Sequence, residues 1–274
     1  MKLRVALLAA LVTVTAAACG TGGGAAADPN APLVVGVSPT PHGQILSYVA
    51  DKLAPAKGLK IEVKEFTDYV TPNTSLVDKS LDANYFQHQP YLADFEQSHG
   101  VQLSWVTAVH LEPLGLYSKK TGKAADLPDG AKIGVPDDTS NEARALKLLA
   151  DNGLLKLKAG TETTATPRDI ADNPKHLQFV ELEAAQLPRS LDDTDASIVN
   201  GNYALSAGLD TSTALLIEKA QYSDGRRNPN ANGLVTRPEL AGDKRVKELA
   251  ELLTSPQVKD YIEQTFHGSV LPAF

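Results

Sequence analysis

Residues 33–41 read "LVVGVSPTP", and with the stretch up to residue 66 they decide what kind of fold this chain takes. The apolar run 33–37 predicts a buried strand. Thr40 is placed as an N-cap and Pro41 as the first helical residue, where its missing N–H leaves no bond unmade. Ile45, Leu46, Val49 and Leu53 then recur at helical spacing until Gly58 ends the element. "LKIEVKEF" (59–66) alternates at period two and predicts a second strand. Strand, helix, strand is the grammar of an α/β protein.

That grammar continues outward. A turn at "TPN" (71–73) leads into a helix with Leu76, Val77 and Leu81 on one face, a short strand at 83–86, and a Pro90-led helix ending near Gly100. "VQLSWVTAVHLEPLGLYSKK" (101–120) predicts two successive strands broken at Glu112-Pro113. From Pro128 the alternation restarts with a strand in "AKIGVP" (131–136), a capped helix in "DDTSNEARALKLLADNGLL" (137–155), "LQFVELE" (177–183), a short helix at 187–192, and "ASIVNGNYALSAGL" (196–209). "NANGLVTRPEL" (230–240) predicts a strand, and 243–265 one terminal helix with Val246, Leu249, Leu252 and Leu253 inward. The halves share an alternation and no sequence repeat, which implies mostly parallel sheets with covered faces. Two α/β lobes are expected, joined by extended crossovers near 112–119 and 231–238. The first takes 33–114 plus 235–274 and the second 115–234. A single doubly wound sheet is the alternative.

The N-terminus has a different character. Lys2 and Arg4 precede an apolar run, Val5 to Val14, that is too short to span a bilayer and runs into Ala16-Ala17-Ala18-Cys19. Residues 1–18 therefore read as a lipoprotein signal, with Cys19 acylated after cleavage; ordinary cleavage after Ala18 is the alternative. "GTGGGAAADPNAP" (20–32) lacks apolar periodicity and reads as a flexible tether. The expected location is the extracytoplasmic face of the cell membrane, held there by lipid. Cys19 is the sole cysteine of the 274 residues, so neither disulfides nor thiolate metal sites support the fold. Removing 1–18 lowers Lys plus Arg from 26 to 24 against 33 acids, a balance of −9. With no basic stripe, that surface excludes nucleic acid as a partner.

The chain shows little catalytic machinery. His42, His88, His99, His110, His176 and His267 include no i, i+4 pair and no HExxH, so a zinc catalyst is unsupported. "ALSAGL" around Ser206 is only loosely like a nucleophile elbow; a surface hydrolase is the reading from a different class. The helix start at 139–144 carries more information. Thr139 and Glu142 are spaced as a capping box, while Asn141 and Arg144 share one face. Free backbone N–H groups and a guanidinium there suit a carboxylate. The other reading pairs Arg144 with Asp137, Asp138 or Glu142. Asn200, after the apolar "ASIV", stands at the carboxyl end of a buried strand, where open α/β sheets bind ligands. It and Asn232 are either turn asparagines or acceptors for an ammonium group. Phe86 and His88 alternate at strand spacing and face one side, with Tyr85 and Gln87 on the other, while Tyr91 and Leu92 read as core.

"DYVTPN" (68–73), "DANYFQHQPYL" (82–92), "GLYSKK" (115–120), "IGVPDDTSNEARALKLL" (133–149), "VELEAAQLPRSLDD" (180–193) and "VTRPE" (235–239), in this order, closely resemble the substrate-binding lipoproteins of methionine ABC importers, the MetQ/NlpA type. The resemblance runs from about residue 33 to 270. It implies a two-lobed periplasmic-binding-protein fold, type II-like, with the crossovers as hinge. It also implies L-methionine as ligand, no catalysis, no cofactor, and the importer's permease and ATPase as partners. By the same resemblance Arg144 binds the ligand carboxylate with Asn141 beside it. Asn200 and Asn232 hold the amino acid backbone, and Tyr69, Phe86 and His88 wall the side chain. The ligand class is safer than the ligand: another small amino acid, D-methionine or a methionine-containing dipeptide stay open.

Overall fold

The computed structural model describes residues 31–220 and 228–274. The expected signal, Cys19 and all but the last two residues of the tether lie outside the described residues.

Strand β1 (Leu33–Val37) buries Leu33, Val35 and Val37. Thr40 is extended (φ −132°) ahead of Pro41, and helical turns follow around α1 (Gln44–Tyr48) as far as Lys57. They bring Ile45, Leu46 and Val49 into the same core. Gly58 ends them at a positive φ of 68°, and β2 (Ile61–Glu65) pairs parallel with β1. After α2 (Thr71–Val77), β3 (Ala83–His88) pairs parallel on the other edge of β1. Leu76 and Leu81 are buried but Val77 is 40% exposed. The helix stops at Val77, so Leu81 reaches the core from the following turn and not from a shared helix face. Helix α3 (Gln89–His99) leads into β4 (Ser104–Leu111).

Three residues, Glu112 to Leu114, then carry the chain to β5 (Gly115–Tyr117) and a second sheet. It is completed by β6 (Lys132–Pro136), β9 (Gln178–Leu182), β10 (Ala196–Val199) and β11 (Leu216–Ile217) in the order β11-β5-β10-β6-β9. A two-stranded ribbon, β7 (Lys156–Leu157) with β8 (Ile170–Asp172), is separate. Helices α4 (Thr139–Asp151), α5 (Leu187–Ser190) and α6 (Gly201–Ser206) alternate with these strands.

Strand β12 (Asn232–Thr236) returns to the first sheet between β3 and β4, antiparallel to both. The expected boundary between 234 and 235 falls inside this strand. At Gly233 a Cβ would lie 2.2 Å from the Thr107 carbonyl oxygen and 2.4 Å from the Trp105 ring, so only glycine seats here. With β13 (Leu271–Pro272) the order is β13-β4-β12-β3-β1-β2. Both sheets are mixed, correcting the expectation of mostly parallel ones. Strands linked through helices are parallel, as in β2-β1-β3 and β10-β6-β9, while those flanking the crossovers are antiparallel.

The expected terminal helix is two, α7 (Lys244–Leu253) and α8 (Pro256–Phe266). Pro256 lacks an N–H and bars its predecessor from helical geometry. Ser255 is accordingly extended, and its hydroxyl accepts from the Val258 N–H. Leu249, Leu253, Val258 and Ile262 still face the first core. A second core gathers Leu116, Ile133, Val135, Leu146, Leu149 and Ile198. Two sheets on two cores replace the alternative of one doubly wound sheet.

Candidate functional site

The carboxyl ends of β3 and β10, the start of β12 and the N-terminus of α4 converge between the lobes. Tyr69, Phe86, His88, Asn141, Arg144, Asn200 and Asn232, though drawn from both halves of the chain, line one cavity. The lobes touch across it. Tyr69 donates through its hydroxyl to Asn202 Oδ1 (2.5 Å), and Tyr203 donates to the Thr67 carbonyl (2.9 Å).

On the first lobe, Phe86 and His88 face the cavity, while Tyr85 packs in the core as the strand alternation requires. Gln87 is held by Asn73 and Asn84 and also borders the cavity. His88 caps α3 by accepting the Tyr91 N–H at Nδ1 (3.2 Å), which leaves the proton on Nε2 to be donated to Asn141 Oδ1 (3.1 Å). Burial, reinforced by Arg144, holds its pKa down to about 4, so the ring is neutral at pH 7. Tyr91 corrects the sequence reading: it lines the cavity, its ring edge against Tyr69 and Phe86 and its hydroxyl donating to the Tyr69 carbonyl. Its position one residue after Pro90 puts it on the first turn of α3, the turn aimed at the cleft.

On the second lobe, α4 is capped by Asp138, which accepts from the Asn141 N–H (2.9 Å). The cap is therefore one residue earlier than the expected Thr139. Glu142, freed from any box, is pushed up to about 7 by burial and by Glu181. Asn141 spends its whole amide inside the protein. Its Nδ2 donates to Asp138, and its Oδ1 accepts from His88, from Asn200 Nδ2 (3.1 Å) and from Arg144 (3.5 Å).

Arg144 is an ion pair, but its partner is none of Asp137, Asp138 and Glu142. Glu218, just beyond β11, receives Nε (2.9 Å) and one terminal nitrogen of the guanidinium, which also donates to the Glu112 carbonyl (3.0 Å). The remaining nitrogen, Nη1, points toward Asn141 at the cavity. Burial opposes both charges, yet the pair raises Arg144 above its ordinary value and lowers Glu218 below its own. Glu218 also accepts from the Leu114 N–H and from Asn230, tying both crossovers to the guanidinium.

Sequence reasoning also missed Glu112 and His42. Glu112 sits on the first crossover, and its Oε1 accepts from His110 Nε2 (2.7 Å) and Asn232 Nδ2 (3.4 Å). The Asn202 backbone N–H is a third donor to the carboxylate. Gly201 makes this approach possible, since a Cβ there would lie 2.4 Å from that of Glu112. His110 Nδ1 takes the Tyr85 hydroxyl. His42 Nε2 lies 3.3 Å from Glu112 Oε1, and the Asn232 side chain is its hydrogen-bonding neighbour. Burial holds both histidines down to about 3. Apolar neighbours in "VHLEPL" around two polar residues were the signal available.

His42, His110 and Glu112 are the one group of metal-ligand type among the described residues, their donor atoms within 4.8 Å of one another. Tetrahedral zinc with bonds of about 2.0–2.1 Å sets its ligand atoms roughly 3.3 Å apart. The His110–Glu112 separation of 2.7 Å is instead that of a hydrogen bond. Ser206 is exposed at the end of the six-residue α6 and does not border the cavity, so nothing supports a nucleophile there.

A cavity enclosed between two α/β lobes, with the chain crossing between them twice, defines the class of two-lobed substrate-binding proteins. Within it the chain belongs to the NlpA lipoprotein family, which it matches over residues 33–274. It is 37% identical over 272 residues to the methionine-binding lipoprotein MetQ of Bacillus subtilis, covering 97% of each chain. To the probable D-methionine-binding lipoprotein MetQ of Vibrio cholerae it is 38% identical over 268 residues, covering 96% of this chain and 97% of that one. A nutrient binding protein from Burkholderia cenocepacia, solved bound to methionine, superposes with a TM-score of 0.84 at 41% identity, covering 88% of this chain and all of that one.

Proposed function

We propose that this protein captures methionine between its lobes outside the cytoplasm and delivers it to the permease and ATPase of an ABC importer, breaking no bond. The observation that carries the reading is the division of one cavity into two faces. Arg144 Nη1 and the unpartnered Asn200 Oδ1 stand among the polar groups, and Tyr69, Phe86 and Tyr91 supply the aromatic wall. A carboxylate meets the guanidinium, and a thioether against aromatic rings gains about 0.3–1.5 kcal/mol per contact. Tyr69, Phe86, His88, Asn141, Arg144, Asn200 and Asn232 form the site, with Asn141 acting through the neighbours it holds. The crossovers serve as hinge, so closure buries the ligand and opening at the permease releases it. No helix among the described residues is long and apolar enough to cross a membrane, and acylated Cys19 supplies the anchor.

The test is a thermal melt of protein unfolded and refolded to strip ligand. L-Methionine at 1,000 times its Kd stabilises by about 4 kcal/mol, an upshift of roughly 10 °C. No upshift with L-methionine would end this reading. Mass spectrometry of the stripped ligand separates L-methionine from its D-isomer, other amino acids and dipeptides once a chiral column precedes it.

A further inference from the structure

Two short segments, 67–69 of the first lobe and 202–203 of the second, exchange hydrogen bonds in opposite directions. Tyr69 donates to Asn202 Oδ1 (2.5 Å), and Tyr203 donates to the Thr67 carbonyl (2.9 Å). Between these bonds the two rings meet at a tilt of 37°, their centroids 5.1 Å apart. Tyr69, although part of the first lobe, packs with Tyr203 against a cluster that includes Leu187, Leu191 and Val199 of the second. Both hydrogen bonds and the ring contact run from lobe to lobe, so all three exist only while the lobes are together.

The two tyrosines differ in what they face. Tyr69 and Tyr91 border both the cavity and a neighbouring recess, whereas Tyr203 borders the recess and not the cavity. The recess also gathers Asp68 from the first lobe and Asp137, Asp138 and Glu183 from the second. Like charges on facing lobes oppose their approach, so the tyrosine contacts hold this edge against a repulsion. Burial and then Asp68, Glu183 and Asp138 raise the pKa of the Tyr203 hydroxyl, which therefore keeps its proton and donates it to the Thr67 carbonyl. Helix α6 connects this edge to the cavity: Asn200, a cavity residue, is its N-cap, and Tyr203 stands on its first turn.

We infer that Tyr203 is a latch on the closed lobes, setting how long a captured ligand is held and taking no part in choosing it. The inference goes beyond the proposed function but rests on it for closure about the hinge and for the probe ligand. A bond made only in the closed form leaves the encounter untouched, because ligand enters while the lobes are apart. It slows the exit, since the latch must open first. Lying off the cavity, it strengthens the binding of every ligand by the same factor.

The experiment compares refolded wild type, Tyr203→Phe and Tyr203→Ala. Release of radiolabelled L-methionine into an excess of unlabelled L-methionine gives the dissociation rate constant, and equilibrium dialysis gives Kd for L-methionine and, by competition, for L-norleucine. Tyr203→Phe, which loses only the hydroxyl, is expected to release L-methionine about 2- to 10-fold faster. Tyr203→Ala, which also loses the ring contact, should release it about 10-fold faster or more. In both variants the association rate constant, dissociation rate constant over Kd, is not lowered, and the ratio of the two Kd values stays at that of wild type. An unchanged release rate in Tyr203→Phe overturns the inference and leaves the proposed function standing. A changed Kd ratio in Tyr203→Phe does the same, since it would make Tyr203 a ligand contact, as does a lowered association rate constant, which a latch cannot cause. Failure of wild type to bind L-methionine overturns both. Should Tyr203→Ala not fold, Tyr203→Phe decides alone.

Discussion

Where the chain enters the second sheet, at Glu112, and where it leaves it after β11, at Glu218, stands a buried carboxylate, and the two are treated in opposite ways. Glu218, just beyond β11, is gripped by Arg144 on two nitrogens and by the Leu114 N–H, and its pKa falls although burial alone would raise it. Glu112, on the first crossover, accepts hydrogen bonds from His110 and Asn232, and burial leaves its pKa raised although the nearby Arg144 charge opposes it. A charge answered inside the protein serves the scaffold. One whose close hydrogen-bond partners are uncharged leaves burial as the larger influence on its titration.

The largest effect should follow from taking away the cation. Arg144→Met leaves Glu218 buried without a counter-charge, and urea unfolding of the ligand-free protein should show a loss of about 3–5 kcal/mol. A loss below about 1 kcal/mol would place Glu218 in the same position as Glu112 and erase the contrast.

Neutralising each carboxylate in turn is a finer probe. Glu218→Gln gives up charge-assisted hydrogen bonds and should cost about 1.5–3 kcal/mol in the same assay. Glu112→Gln removes a carboxylate whose direct hydrogen-bond partners are uncharged and should change stability by under about 1 kcal/mol, or raise it. Equal losses in the two variants would break the comparison.

The smallest and most specific effect is in the pH dependence. At pH values just above the ordinary carboxylate value, Glu112, raised in the fold, keeps more of its proton than it does in the unfolded chain. Wild type therefore gains stability relative to Glu112→Gln as pH falls toward the ordinary carboxylate value and loses it as pH rises above that value. Glu218, lowered in the fold, contributes stability above its ordinary value, and wild type loses it relative to Glu218→Gln as pH falls below that value. Stability curves of the two variants against wild type should thus slope in opposite senses; a shared sign would refute the assignment of either group.

What could be read without the structure divides along the range of the interactions. Strand and helix periodicity is local, so β1, α1 and β2 emerge from 33–66 directly, and Asn200 follows from being next after a buried strand. Local signals were also passed over. Ser255-Pro256 is a helix start in its own right, and Asp138 caps α4 as well by its type as Thr139. Glu218 was out of reach: it meets Arg144 from 74 residues away, through the path of a crossover that no periodicity describes. His42 and Glu112 were hidden for the same reason, since each looks like a turn residue until β4, β12 and α6 are packed around it.

The place of β12 in the first sheet bears on how the chain is made. Residues 115–217 form an unbroken segment with its own sheet and core, complete as soon as they leave the ribosome or the export channel. The first sheet must wait. Its earliest strands are synthesised with a gap between β3 and β4 that closes only when Asn232–Thr236 arrives. Pairings so distant in sequence are slow to form, so the first lobe should be the late-folding half and the half most exposed to proteases and chaperones before completion. The strand that fills the gap begins with Asn232, a cavity residue, so the pocket and the last element of the sheet are completed together.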